Sequence, residues 1–150
     1  MDPLESIIIL LAEDDPDDRM LTVRALRKNR LVNTIKSVED GEELMAYLHR
    51  RGRYAEEEAA PRPGLILLDL NMPRMDGREA LRAIKEDPDL RRIPVVVLTT
   101  SHAERDVVQS YDLGVNAFVT KPITFEELAD CLRVLGNFWF EIVKLPPAGT

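Results

Sequence analysis

Five short apolar runs, each followed by a stretch of helical periodicity, limit the fold of this chain more than any other feature. The runs are Ile7–Ala12, Thr34–Val38, Leu65–Leu68, Pro94–Thr99 and Ala117–Val119. They are rich in β-branched residues and apolar on both faces, the pattern of strands buried between two helix layers. Helices are predicted near 16–29, 40–51, 76–87, 103–112 and 124–143. The first opens with Asp15 as N-cap and Pro16 at its first position, where a missing N–H and a fixed φ cost nothing. The third begins at Asp76-Gly77 and ends before Pro88, with Ala80, Leu81 and Ile84 as its inner stripe. Alternation of this kind demands parallel strands joined by right-handed crossovers, hence a doubly wound α/β sheet. At 150 residues the chain fits one domain with a proper core.

Charge and composition remove several function classes. The net charge of -7 disfavours a duplex nucleic acid, whose phosphates would be repelled. No apolar run approaches the roughly 18 residues that span a bilayer, so no membrane segment is expected. The start, Met1-Asp2-Pro3-Leu4-Glu5, lacks the basic end of a secretory signal. Cys131 is the only cysteine, which leaves no disulfide framework or thiolate metal cluster and points to a reduced, cytoplasmic protein. The one long connection, Gly52–Gly64, carries Glu56, Glu57 and Glu58 and two prolines. It reads as a solvated charged spacer, with a functional loop as the alternative.

An open parallel sheet binds ligands beyond the carboxyl ends of its strands, where strand order reverses. Here the first strand runs into Glu13-Asp14-Asp15, the third into Asp69, the fourth ends in Thr99-Thr100, and the fifth continues to Lys121-Pro122. A carboxylate closing an apolar Leu-Ile-Leu-Leu run needs charge compensation, and neighbouring acids repel it further. A divalent cation answers both problems, and an all-oxygen donor set selects a hard ion such as Mg²⁺. Helix capping alone accounts for Asp15 and can account for Glu13, but not for Asp69. Lys121 can neutralise an anion arriving at Asp69 or pair with a carboxylate. The Thr99 hydroxyl can donate to such an anion or be a plain strand-end hydroxyl.

The segments Leu11-Ala12-Glu13-Asp14-Asp15, Leu68-Asp69-Leu70-Asn71-Met72-Pro73, Val97-Leu98-Thr99-Thr100 and Val119-Thr120-Lys121-Pro122 resemble, in order, the signature blocks of response-regulator receiver domains. The resemblance covers about residues 6–137. It implies a flavodoxin-like (βα)5 sheet of order 2-1-3-4-5, an order for which a receiver is itself a standard example. It implies Asp69 as the aspartate that forms an acyl phosphate, and Mg²⁺ held by Asp14, Asp69 and the Asn71 carbonyl, with Glu13 acting through water. It also implies Thr99 and Phe118 as the switch pair, Lys121 as the phosphate contact, and a cis Lys121–Pro122 bond. Phe118 stands where such domains often carry tyrosine, and Thr100 where a small residue is frequent; both bear on rates. The partner implied is a sensor histidine kinase in a two-component phosphorelay.

In the last predicted helix, Phe125, Leu128, Leu132, Leu135, Trp139 and Ile142 recur at steps of three and four. Phe138, Trp139, Phe140 and Ile142 cannot all face one core, and Pro146-Pro147 then ends the element. Such a cluster in residues 138–150 reads as an interface, with a symmetric homodimer expected; folding back onto the monomer is the alternative. The tail and the acidic-proline loop are similar to those of single-domain regulators paired with bacterial phytochrome kinases. With no basic helix-turn-helix pattern, the signal is expected to leave through protein contact. A haloacid-dehalogenase-like phosphatase needs a second acid two residues after its nucleophile, and position 71 is Asn. A nucleotide enzyme needs a glycine-rich loop where this chain has Asp14-Asp15-Pro16-Asp17-Asp18. A pseudo-receiver serving only as an interaction module would normally lack Asp69 or Lys121.

Overall fold

Residues 8–28, 34–56, 59–70, 72, 74–99 and 117–120 are described in the computed structural model, with the backbone alone for 25, 26, 28, 99 and 117–120. The strands are β1 (Ile8–Ala12), β2 (Thr34–Val38), β3 (Leu65–Asp69), β4 (Val95–Thr99) and β5 (Ala117–Thr120). The helices are α1 (Pro16–Lys28), α2 (Gly41–Leu48) and α3 (Gly77–Glu86), with single 3-10 turns at Gly52–Tyr54 and Leu90–Arg92. All strand pairs are parallel, and the sheet order is β2-β1-β3-β4-β5. This is the order that the signature blocks implied. The predicted helices near 103–112 and 124–143 lie outside the described residues.

Burial follows the strand period. Leu10, Ala12, Ile66, Leu68, Val95 and Val97 join Leu44, Met45, Ala80, Leu81 and Ile84 of α2 and α3 in one core. The alternating residues Ile9, Leu11, Leu65, Leu67, Val96 and Leu98 are buried as well, which requires cover on the second face. Right-handed crossovers supply it: β1 steps to β2 in one direction, while β2–β3 and β3–β4 step in the other, so α1 lies opposite α2 and α3.

Three expectations need correcting. β2 is an outer strand, only partly buried up to its last residue, with Lys36 and Ser37 in its interior; it is not apolar on both faces. Helix α2 stops at Leu48, short of residue 51, because Arg50 takes a left-handed backbone at φ 53°, which a helix cannot continue. The connection Gly52–Gly64 is not merely solvated. Ala60 and Pro63 are buried, the Tyr47 hydroxyl donates to the Pro61 carbonyl at 2.7 Å, and Arg62 pairs with Asp89 at 2.9 Å. Among the described residues of this connection, Ala60 belongs to the hydrophobic core.

Candidate functional site

The reversal of strand order falls between β1 and β3. Ala12 pairs with Leu68, so the residues that follow, Glu13 and Asp69, sit side by side at the sheet's carboxyl edge. The Glu13 N–H extends the ladder by one bond, donating to the Val38 carbonyl at 3.0 Å. Chain direction then turns at Asp14 and Asp15 into α1. Asp15 caps that helix as expected, its Oδ1 accepting from the Asp17 and Asp18 N–H groups at 2.8 and 3.2 Å. Glu13 Oε2 accepts from the Asp15 N–H at 3.2 Å, so part of its role is indeed to hold this turn.

Carboxylate oxygens of Glu13, Asp14 and Asp69 all lie within 4.8 Å of one another. Glu13 is fully buried and Asp69 is 2% exposed, while Asp14 opens to solvent. Three carboxylates this close repel strongly when two are out of water. With oxygen as the only donor atom and one member facing solvent, the set fits a hard divalent ion that keeps some of its water.

The start of α3 packs against the strand end that carries Asp69. Asp76 caps α3, its Oδ1 accepting from the Arg78 and Glu79 N–H groups at 2.8 and 3.1 Å. The Gly77 N–H donates to the Leu70 carbonyl at 2.9 Å. A Cβ at Gly77 would lie 2.3 Å from the Asp69 carbonyl oxygen, so only glycine lets the helix start press against the strand end that carries Asp69. The turn from β3 to α3 leans on α2: a Cβ at Gly41 would meet the Met75 carbonyl at 2.0 Å, and Arg74 Nε stands 3.7 Å from Asp40 Oδ2.

Of the residues expected at the site, Glu13, Asp14 and Asp69 are brought together. Thr99 ends β4, level with Thr120 of β5; Phe118 pairs with Val97. Asn71, Thr100, Lys121, Pro122 and the tail residues Phe138, Trp139, Phe140 and Ile142 lie outside the described residues. One participant escaped the sequence reading. Arg19 Nη1 donates to the Glu13 carbonyl at 3.1 Å and stands 3.5 Å from Glu39 Oε1. The signal for it was weak, a lone arginine one helical turn past the Asp15 cap, where long side chains lean back toward the helix start.

A doubly wound sheet with an acidic pocket at its switch point defines a class of phosphate- or metal-handling signalling and enzymatic domains. The response regulator receiver domain family matches residues 9–133, and the chain belongs to that family. It is 47% identical over 141 residues to response regulator Rcp1 of Synechocystis sp., covering 94% of each chain. The Mn²⁺-bound form of Rcp1 superposes with a TM-score of 0.72 at 46% identity, over 89% of this chain and 94% of that one. The bacteriophytochrome response regulator RtBRR gives a TM-score of 0.81 at 44% identity, over 87% of this chain and 78% of that one. The phosphorylated cyanobacterial phytochrome response regulator RcpA gives 0.73 at 46% identity, over 89% and 94%. Among the described residues no helix is long and apolar enough to cross a membrane.

Proposed function

We propose that this chain is a phosphorylation switch in which Asp69 takes a phosphoryl group from a sensor histidine kinase, together with Mg²⁺ held by Asp14, Asp69 and the Asn71 backbone carbonyl and, through water, by Glu13. The observation that carries the reading is the gathering of three carboxylates within 4.8 Å at the switch point. A relative solved with Mn²⁺ and another solved phosphorylated support it. Bound there, the cation offsets the charge of the carboxylates and of an incoming phosphoryl group.

An Asp69 carboxylate oxygen attacks phosphorus; the new O–P bond forms as the bond from phosphorus to the donor's imidazole nitrogen breaks, and the imidazole leaves. The product is an acyl phosphate that adds about −1.5 to −2 charges. Lys121 balances that charge, the Thr99 hydroxyl donates to a phosphoryl oxygen, and Phe118 fills the space that Thr99 vacates. The surface over the fourth predicted helix and β5 changes shape as a result. Asp69 therefore stores a phosphoryl group for a relay; it is not the nucleophile of a turnover enzyme. The names of the solved relatives RtBRR and RcpA support a phytochrome-type kinase as donor. In this reading residues 1–150 form one cytoplasmic receiver, its core about 6–137, and the apolar cluster of 138–150 joins two copies into a dimer that addresses a protein and not nucleic acid.

Incubation with acetyl phosphate and Mg²⁺ should label the wild-type chain with acid-labile phosphate and leave Asp69→Asn unlabelled. Label on the variant at the wild-type level would refute the assignment.

A further inference from the structure

The geometry points to Arg19 as a positioning residue of the cation pocket: it fixes the Glu13–Asp14 peptide and thereby aims the Asp14 carboxylate. This rests on the reading of Glu13, Asp14 and Asp69 as the metal-holding set. Arg19 clamps the turn between β1 and α1 at both ends. Its N–H donates to the Asp15 carbonyl at 2.9 Å, and its guanidinium donates to the Glu13 carbonyl at 3.1 Å. Asp14 lies between those two held carbonyls, on the solvent side of the pocket, so the backbone governs where its side chain points. The guanidinium is itself steadied. Its side chain is 21% exposed, and Glu39, beyond the end of β2, stands 3.5 Å from Nη1. The Glu39 backbone is in turn held where its N–H donates to Glu43 Oε1 at 2.7 Å, while its carboxylate is 69% exposed. The clamp thus runs from the start of α1 across to the start of α2.

A second account of the same contact is electrostatic, with Arg19 softening the repulsion among the three carboxylates. The two accounts differ in sign. Removing a positive charge beside a cation pocket strengthens cation binding by Coulomb's law. Removing a clamp on a ligand weakens it, by about 10- to 100-fold for outer contacts of metal ligands.

The test is calorimetric titration of the full chain with Mg²⁺, on wild type, Arg19→Met, Arg19→Gln, Arg19→Lys and Asp14→Asn, with thermal unfolding in chelator alongside. Arg19→Met keeps the packing of the stem and loses the donors; Arg19→Gln gives a second chance should that variant fold poorly. The Mg²⁺ Kd should rise about tenfold or more in both, with part of the loss recovered by Arg19→Lys and with cooperative unfolding in chelator retained. A Kd equal to or tighter than wild type in Arg19→Met and Arg19→Gln, while Asp14→Asn loses binding, overturns the clamp and leaves the pocket standing. Absence of Mg²⁺ binding in the wild-type chain overturns the pocket and the clamp together.

Discussion

Tyr47 shows how one side chain decides the state of a whole connection. Its hydroxyl donates to the Pro61 carbonyl, and its ring meets Tyr54 at 5.2 Å between centroids. Burial pushes its pKa from 10.0 up to about 12, with the neighbouring Tyr54 adding to the rise and Arg50 opposing it. A group whose folded pKa is raised stabilises the fold fully below its unfolded value, and that contribution is lost as pH climbs through the folded one. The loss should therefore fall between about pH 10 and pH 12. Tyr47→Phe should cost about 0.5–1.5 kcal/mol in urea unfolding at pH 7, since it strands the Pro61 carbonyl. It should also flatten the alkaline decline. Equal stability of the two proteins at pH 7 would mean that the bond contributes nothing. None of this was legible in the sequence, because Tyr47 falls in a plain amphipathic pattern and its acceptor is a backbone oxygen. Asp69 was legible for the opposite reason: a charge closing a run of four apolar residues contradicts its surroundings.

At the scale of elements, the turn from β3 to α3 couples strand end to helix start by contact between backbones. Gly77→Ala places a methyl group 2.3 Å from the Asp69 carbonyl oxygen, and relief requires the helix to withdraw. Overpacking of this sort costs about 1–3 kcal/mol. Thermal unfolding should register that cost, and the initial rate of Asp69 labelling should fall with it; an unchanged rate would show that the strand end holds its place without the helix. The start of α3 was readable, since Asp76 followed by glycine before an amphipathic run is a capping pattern. The end of α2 was not readable, because no glycine or proline at residues 49–51 announces the left-handed turn at Arg50. Likewise, the interior of β2 reads Ile35-Lys36-Ser37, an alternation that marks an outer strand, yet its neighbours in sequence gave it the look of a buried one.

For the whole molecule, alternation alone set the class of sheet, while strand order came from the signature blocks and is matched by the pairing of β2-β1-β3-β4-β5. The apolar cluster at the tail carries the prediction that belongs to this scale. If the cluster joins two copies as proposed, Trp139→Ala should shift the sedimenting species from dimer to monomer, the midpoint falling only by the concentration-dependent part that association contributes. A lowered midpoint at unchanged mass would instead assign the cluster to the monomer's own core. The outer position of β2 has a different consequence. A strand paired on one side only is a template on which a foreign strand can grow, and a charged residue set within it is the common safeguard. Lys36 lies midway along β2, level with Leu10 of β1. The residue that makes β2 look poor as a core strand is thus also the kind of charge that disfavours pairing of a further strand along that edge.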